Sequence, residues 1–230
     1  MIYFAHRGAS ALAVQNTTSA FEKARQLGAR YYELDVHLTA DGQLVVHHDY
    51  SLLSTAGVDA QIGSLSLKEL KKIPLKNPFS AEPVFVPTLA EVLPIITPNL
   101  ELLNIELKND DNRYPGIEQK LLGFLQDYPA LLPKILFSSF DYDTLVRLRK
   151  LAKNARIGKL TRAFDVSQAL SLQAESVHIN QKRLLPQIVE SCHQNKLKIY
   201  CYTIKERERA EALMVAGVDG VFTDCPDLFQ

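Results

Sequence analysis

Residues 31–48 read YYELDVHLTADGQLVVHH and contain two strand-like segments on either side of one short turn. The segments Tyr31–Val36 and Leu44–His48 lie too close together in the chain for a parallel crossover, which needs about a dozen residues. They must therefore form an antiparallel hairpin. Asp41-Gly42 is a strong signal for a two-residue hairpin turn, so we expect the loop at these two residues.

The hairpin also predicts which residues face each other. With Asp41 and Gly42 as the loop, counting back along the strands places Asp35 opposite His48, while His47 points to the other face. Opposite residues in a hairpin have Cβ atoms about 4.5–5.5 Å apart. We therefore expect a carboxylate and an imidazole to meet at this position.

Short apolar runs alternate with helical patterns along most of the chain. Alternating β and α elements favour an α/β fold with a parallel sheet, and eight such strands predict a closed (β/α)8 TIM barrel. An open doubly wound sheet is the alternative, but no G-x-G-x-x-G turn follows the first strand. The predicted barrel strands are Ile2–Ala5, Tyr31–Val36, Leu102–Leu107, Ile135–Ser139, Arg156–Leu160, Ser176–Asn180, Lys198–Thr203 and Gly220–Thr223.

Seven helices are predicted around these strands, and the chain stops soon after the eighth strand. The eighth helix of the barrel is therefore expected to be missing or reduced to a turn. The predicted helices are Thr17–Leu27, Thr88–Ile96, Ile117–Asp127, Tyr142–Lys153, Val166–Leu172, Arg183–Asn195 and Arg207–Ala216.

Residues 51–87 interrupt the alternation, because they contain four prolines and few periodic apolar positions. We interpret them as an irregular insertion over one end of the barrel. Long loops in compact domains are often functional lids. The chain shows no internal repeat and no low-complexity segment, so residues 1–230 are expected to form a single domain with 51–87 as a lid-like insertion.

The composition argues against several classes of function. Lysine plus arginine and aspartate plus glutamate both number 26, so no net charge attracts nucleic acid or an anionic membrane. No apolar run approaches the roughly 18 residues of a membrane span. Three widely spaced cysteines, Cys192, Cys201 and Cys225, favour neither a disulfide framework nor a zinc site. We expect reduced thiols in a cytoplasmic protein.

Acidic side chains stand near the ends of two predicted barrel strands. Glu33 and Asp35 are two residues apart and so share a face, and Glu106 stands near the end of the next barrel strand. Carboxylates inside a barrel are costly unless a cation neutralises them. Three carboxylates suit a hard divalent cation, Mg2+ or Ca2+. Ion pairs with Arg7 or Lys108 are the alternative, and spacing alone does not decide between them.

Two histidines are predicted at the same end of the barrel. His6 and Arg7 end the first strand, and His48 ends the second arm of the hairpin. TIM barrels build their active sites at the C-terminal strand ends. A guanidinium binds phosphate in a fork, and the following Gly8 allows close approach of the backbone. His6, His48 and Arg7 are therefore candidate site residues.

These residues belong to blocks that follow one another through nearly the whole chain. The blocks are Ala5–Ser10, Gln15–Thr17, Glu33–Val36, Thr39–Gly42, Val45–Asp49, Pro87–Glu91, Asn104–Lys108, Ser138–Phe140 and Gly217–Pro226. Together they resemble the signature of the glycerophosphodiester phosphodiesterase family. The first block is highly specific and the later ones moderately so.

The resemblance implies a metal-dependent enzyme of lipid metabolism that hydrolyses glycerophosphodiesters to glycerol 3-phosphate and an alcohol. Its partner would be a small-molecule substrate. The roles implied at matching positions are metal binding by Glu33, Asp35 and Glu106, acid–base catalysis by His6 and His48, and phosphate binding by Arg7 and Lys108. The preferred alcohol and the oligomeric state are not predicted.

Two positions depart from the family pattern. Gln15 stands where the family usually has a glutamate, so hydrogen bonding is kept but a negative charge is lost. Tyr202 stands in the seventh barrel strand, where a tryptophan is often found, and still offers an aromatic ring. Both are candidate substrate-site residues. Gln15 also leaves open a catalytically weak barrel that binds phosphate ligands without turnover.

Other questions stay open at the level of sequence. The nucleophile could be water or the neighbouring glycerol hydroxyl, and nothing indicates which histidine is the acid and which the base. A third hypothesis is that the chain is a related barrel enzyme, which uses the same histidine–metal design on a choline phospholipid. The disulfides usual in that enzyme find no support in this cysteine pattern.

Overall fold

The computed structural model describes residues 1–229, apart from the side chain of Asn112, and the strands of this part of the chain form one sheet. The strands are β1 (Ile2–His6), β2 (Tyr31–Leu38), β3 (Leu44–Val46), β4 (Leu102–Leu107), β5 (Ile135–Ser139), β6 (Arg156–Thr161), β7 (Ser176–Asn180), β8 (Lys198–Ile204) and β9 (Gly220–Thr223). All except β3 are parallel, and β1 closes the ring by pairing with both β2 and β9. The predicted (β/α)8 TIM barrel is confirmed.

Every predicted helix is present within residues 1–229, with ends that differ by a few residues. The helix predicted from Arg183 begins later, at Pro186, because proline is favoured in the first turn of a helix. After β9 the described chain forms a 3₁₀ turn, Pro226–Phe229. The helices are α1 (Thr18–Gln26), α2 (Leu53–Ala56), α3 (Leu67–Leu70), α4 (Leu89–Ile96), α5 (Ile117–Leu125), α6 (Tyr142–Leu151), α7 (Val166–Ser171), α8 (Pro186–Gln194) and α9 (Arg207–Val215).

An apolar cluster fills part of the barrel interior. The ring centroid of Phe4 lies 4.8 Å from that of Phe222 and 5.3 Å from that of Tyr200. Leu102 and Leu136, which begin or nearly begin their strands, complete the cluster. Aromatic and branched side chains fill a barrel of this size, so it has a packed core and no pore. Two buried polar residues of β7 lie beside this cluster: Ser176 Oγ is 2.9 Å from His178 Nε2, and the His178 ring centroid is 5.1 Å from that of Phe222.

The hairpin of β2 and β3 has a longer loop than predicted. Leu38 pairs with Leu44, and the backbone N–H of Thr39 donates to the carbonyl of Gln43 at 3.0 Å, so the loop contains three residues, 40–42, and not two. The backbone N–H of Gly42 donates to the carbonyl of Thr39 at 2.9 Å, and Gly42 has a φ of +72°. A three-residue loop with a left-handed glycine at its end is a common alternative to the two-residue turn.

The predicted pairing of Asp35 with His48 is therefore wrong by one residue. The backbone N–H of His47 donates to the carbonyl of Asp35 at 3.1 Å. The imidazole of His47 is buried, and its Nε2 lies 3.2 Å from Thr55 Oγ1. A shift of one residue moves side chains to the other face of a strand. His48 reaches the barrel end by another route, described below.

Residues 51–87 contain more regular structure than predicted. They include α2, α3 and a 3₁₀ turn, and Ser66 and Glu69 form a capping box at the start of α3. Elements of four residues are too short to produce a visible helical period in the sequence. The segment packs on β3 through a small core of its own, which consists of Val45, Leu52, Ile62, Leu70, Leu75 and Val86.

The described part of the chain, residues 1–229, contains no helix that is both long enough and apolar enough to cross a membrane. Cys192, Cys201 and Cys225 are all free thiols. The cytoplasmic location and the lack of nucleic-acid partners stay predictions.

Candidate active site

Three carboxylates from two neighbouring strands meet at the C-terminal end of the barrel. The pairing of β2 with β4 sets Asp35 beside Glu106, and Glu33 shares the inward face of β2 with Asp35. One carboxylate oxygen from each of these three residues lies within 4.8 Å of the other two. All three side chains are buried. The structure therefore brings together the three carboxylates singled out from the sequence.

Two cations partly neutralise this cluster. Arg7 Nε lies 3.3 Å from Asp35 Oδ2, and Lys108 Nζ donates to Glu106 Oε1 at 2.8 Å. Lys108 Nζ also lies 3.7 Å from Asp35 Oδ1, but that buried oxygen accepts no hydrogen bond within residues 1–229. Three carboxylates against two cations leave an excess of negative charge. This excess and the unfilled oxygen fit a divalent cation, which takes carboxylate ligands.

Burial and crowding shift the pKa values of the three carboxyl groups. Burial, reinforced by the charge of Asp35, raises the pKa of Glu33 well above its usual value. Burial also raises the pKa of Glu106 to about 7, against the opposing attraction of Lys108. Burial acts on Asp35 in the same sense, but Arg7 and Lys108 outweigh it and hold the pKa below its usual value. The cluster therefore resists carrying three negative charges without a further cation.

His6, the last residue of β1, is held by a carboxylate that the sequence analysis missed. Its Nδ1 lies 2.6 Å from Asp224 Oδ1, which also accepts a hydrogen bond from Ser10 Oγ at 3.0 Å. Since the carboxylate accepts a hydrogen bond from Nδ1–H, Nε2 carries the lone pair of the neutral imidazole, and it lies 3.9 Å from Glu33 Oε2. Burial, with the nearby charge of Arg7, lowers the pKa of His6 and favours a neutral imidazole.

His48 reaches the same site despite the error in the predicted register. β3 ends at Val46, and beyond it His48 lines a cavity together with Glu33. Its Nδ1 lies 2.7 Å from Asp49 Oδ1, so this imidazole is also oriented by a carboxylate. Asp49 in turn accepts a hydrogen bond from Ser54 Oγ at 2.5 Å. Burial lowers the pKa of His48 as well.

The chain after β1 adopts a backbone conformation that brings Arg7 close to the carboxylates. Arg7 has a φ of +58° and Gly8 a φ of +84°. A Cβ at Gly8 would lie 2.6 Å from the backbone carbonyl carbon of Ala20, so only glycine fits against α1 here. Asn16, which the sequence analysis also missed as a site residue, donates from Nδ2 to Asp35 Oδ2 at 2.8 Å.

The two positions that depart from the family pattern both lie at the site. Gln15 Oε1 accepts a hydrogen bond from Arg7 Nη1 at 2.6 Å, so it helps to orient the guanidinium. Tyr202 packs edge-to-face with Phe140, with ring centroids 6.2 Å apart, and its hydroxyl donates to the carbonyl of Thr161 at 3.1 Å. Tyr202 therefore contributes an aromatic wall, and its hydroxyl is already engaged.

Two cavities meet at the end of β1. The inner cavity has a volume of about 140 Å³ and the outer cavity about 530 Å³, and both are lined by His6, Arg7 and Thr203. The inner cavity is also lined by Glu33, His48, Asn104, Glu106, Phe140 and Tyr202. The outer cavity is also lined by Gln15, Ser54, Lys76, Phe79, Lys205 and Asp224. Residues of the 51–87 segment thus form one side of the outer cavity.

Sequence comparison finds relatives that match almost the entire length of the chain. Residues 6–228 match the model of the glycerophosphoryl diester phosphodiesterase family. The chain is 36% identical to a glycerophosphodiester phosphodiesterase from Caldanaerobacter subterraneus subsp. tengcongensis, over 98% of this chain and 95% of the relative. It is 34% identical to a glycerophosphodiester phosphodiesterase from Bacillus altitudinis, over 97% and 94% of the two chains.

A solved structure supports the same relationship. A phosphodiesterase from Oleispira antarctica, crystallised in complex with the product sn-glycerol-3-phosphate, superposes with a TM-score of 0.86 at 29% identity. The superposition covers 99% of this chain and 94% of that protein. The family and the enzyme class inferred from the sequence, a phosphodiesterase, are confirmed by these relatives. The chain belongs to the glycerophosphoryl diester phosphodiesterase family.

Proposed function

We propose that the chain hydrolyses glycerophosphodiesters to glycerol 3-phosphate and a free alcohol, with a divalent metal and a pair of histidines. Family membership supports the hydrolysis of glycerophosphodiesters. The observation that carries the finer proposal is the meeting of His6 and His48 in one cavity with Glu33 and Glu106. Each imidazole has its Nδ1 bound to a carboxylate, which leaves Nε2 for proton transfer.

The metal proposed here is Mg2+ or Ca2+, with Glu33, Asp35 and Glu106 as its ligands. Their excess negative charge and the unfilled Asp35 Oδ1 support this assignment. When bound, such an ion supplies electrostatic stabilisation to the oxygens of a phosphate diester. It would also offset the burial and the nearby charge of Asp35, which together raise the pKa of Glu33.

Arg7 and Lys108 are the proposed phosphate-binding residues. Arg7 lines both cavities, and its guanidinium is oriented by Gln15 on one side and Asp35 on the other. A guanidinium held in this way offers its remaining N–H groups to a phosphate in a fixed direction. Among the cavity linings of the described residues, Lys108 is absent from these two and present in a third that also contains His48, where it adds a second positive charge.

The two histidines would divide the proton transfers between them. One imidazole takes a proton from the nucleophile, and the other returns a proton to the leaving alkoxide, which is worth about 10²–10⁴ in rate. The base enters the step as a neutral imidazole, which burial favours by lowering both pKa values, and the acid enters it as an imidazolium, which the adjacent carboxylates of Asp224 and Asp49 favour. The same pair serves either water or the neighbouring glycerol hydroxyl as nucleophile.

Turnover with and without metal is the test of this proposal. The purified protein, stripped with a chelator, is assayed with glycerophosphocholine and glycerophosphoethanolamine before and after addition of Mg2+ or Ca2+. We expect equal amounts of glycerol 3-phosphate and free alcohol only after the cation is added. Release of glycerol with a phosphorylated alcohol would show that the other ester bond is cleaved. Turnover that is insensitive to the chelator would remove the metal from the mechanism.

Substitution of Gln15 tests whether the missing glutamate makes this barrel catalytically weak. Because Gln15 already accepts a hydrogen bond from Arg7, we expect Gln15→Glu to keep kcat within about threefold of wild type. Gln15→Ala loses that hydrogen bond to a charged group and should lower kcat/KM by about tenfold. Steady-state kinetics of the three proteins checks both. A wild type without turnover that gains activity in Gln15→Glu would favour the non-catalytic, phosphate-binding alternative.

A further inference from the structure

The size of the two cavities suggests how a diester would lie at the site. His6, Arg7 and Thr203 line both cavities, so the phosphate of a bound diester belongs at this junction. The inner cavity, about 140 Å³, has room only for a small substituent and is lined by Glu33 and Glu106. The outer cavity, about 530 Å³, falls in the size range of sites for larger ligands. Glycerol therefore fits inside, and the alcohol fits outside.

The outer cavity is electrically positive. Its lining includes Arg7, Lys76 and Lys205, against a single carboxylate, Asp224, within residues 1–229. Lys205 Nζ lies 3.2 Å from Asp224 Oδ2, so these two charges offset each other. The phosphate of the substrate would offset Arg7. The positive charge of Lys76 is not neutralised, because in the described chain its Nζ donates only to the carbonyl of Ser54, at 3.0 Å.

The same lining is poorly suited to a quaternary ammonium group. Recognition of choline usually relies on several aromatic rings arranged around the cation. Among the described residues that line the outer cavity, Phe79 is the one phenylalanine, and no tyrosine or tryptophan is present. The side chain of Phe79 is half exposed. A cationic alcohol would therefore meet the positive charge of Lys76 without an aromatic cage to compensate.

We propose that the outer cavity selects diesters whose alcohol carries an additional negative charge, such as a second phosphate, and that Lys76 is the residue that determines this preference. The inference rests on the proposed function, because it concerns the alcohol side of the same reaction. Lys76 lies in the 51–87 segment, so this segment acts as the specificity element of the site. Within residues 1–229, the Nζ of Lys76 makes no hydrogen bond to any of the proposed catalytic groups.

Three substrates that share the glycerophosphate group and differ in the charge of the alcohol test this preference. Initial kcat/KM is measured for glycerophosphocholine, glycerophosphoglycerol and bis(glycerophospho)glycerol, whose alcohols are cationic, neutral and anionic. The last value is halved, because that molecule has two equivalent ends. For wild type we expect at least about a tenfold preference for the anionic alcohol over choline, which decreases as the ionic strength is raised from about 0.05 M to about 0.5 M.

Variants of Lys76 test the residue itself. Lys76→Glu should lower the ratio of anionic to choline substrate by about five- to tenfold, and Lys76→Gln by a smaller factor, with the rate on glycerophosphoglycerol changed less than about twofold. Lys72→Glu is the matched control, since Lys72 is exposed on the same segment and is not among the lining residues. It should leave the ratio unchanged.

The specificity proposal and the proposed function are contradicted by different experimental outcomes. Hydrolysis of all three diesters with choline preferred, or a ratio that Lys76→Glu does not alter, contradicts the specificity proposal and leaves the proposed function intact. An equal change in Lys72→Glu would mean that the overall charge of the surface, and not Lys76, sets the preference. Absence of metal-dependent hydrolysis of every diester contradicts the proposed function and this inference together.

Discussion

Replacement of either His6 or His48 by alanine is expected to lower kcat by at least about 100-fold, because each would remove one of the two proton transfers. The double variant should be barely slower than either single variant, since residues that act as a unit are not additive. Both imidazoles line the inner cavity, and neither residue belongs to the apolar cluster in the barrel interior. We therefore expect the melting temperature of each variant to stay close to that of wild type.

Measurement of kcat and melting temperature on the same preparations decides between catalytic and structural roles. If the histidines are structural, the variants should melt at lower temperature and retain their turnover per folded molecule. His193→Ala is a suitable control, because His193 is an exposed histidine that pairs with Asp219 on the surface. Activity within a few-fold of wild type for His6→Ala or His48→Ala would remove that residue from the mechanism.

Replacement of Glu33 by glutamine should separate metal binding from folding. A cation at 100 times its dissociation constant stabilises a protein by about 2.7 kcal/mol, which corresponds to about 5–10 °C in melting temperature for a chain of this length. We expect this shift in wild type and its near loss in Glu33→Gln. The metal-free variant should be at least as stable as metal-free wild type, because the substitution removes one of three crowded carboxylates.

The same variant is expected to lose at least about 100-fold in kcat, since a catalytic cation contributes several kcal/mol and about 1.4 kcal/mol corresponds to tenfold. Thermal unfolding with and without Mg2+ or Ca2+, followed by kinetics, checks both effects. Glu22→Gln is the control, because Glu22 pairs with Arg25 on the surface of α1. An unchanged cation-induced shift in Glu33→Gln would exclude Glu33 as a ligand.

The barrel could be predicted from the sequence because its strands carry their own signals. Each is a short apolar run bounded by turn residues, and the crossovers contain helices of recognisable length. The carboxylate cluster followed from the same information. Residues two apart on a strand share a face, and neighbouring parallel strands end together, so Glu33, Asp35 and Glu106 had to meet if the strands were right.

The hairpin register could not be obtained from turn residues alone. Asp41-Gly42 is compatible with a two-residue loop and with the three-residue loop that the structure contains. The choice depends on the Thr39 side chain, whose oxygen accepts a hydrogen bond from the backbone N–H of Gln43 at 2.9 Å, and on packing of the insertion against β3. Such contacts between distant segments leave no periodic trace in the sequence.

The residues that orient the proposed catalytic groups were missed for a related reason. Asp224 lies 218 positions from His6 in the chain, and the two meet only because β9 is adjacent to β1 in the closed barrel. Its position directly after the last strand was the available signal, since all strand ends face the same side. Asn16 gave a weaker signal, because its role depends on a loop conformation with a φ of +57°.

The most direct test of the central claim is a crystal structure of the protein grown with Ca2+ and sn-glycerol 3-phosphate. We expect one cation bound to Glu33, Asp35 and Glu106, the phosphate against Arg7, the glycerol in the inner cavity, and Nε2 of both His6 and His48 directed at the phosphate. A cation bound elsewhere, with the three carboxylates still paired only to Arg7 and Lys108, would contradict the proposed mechanism.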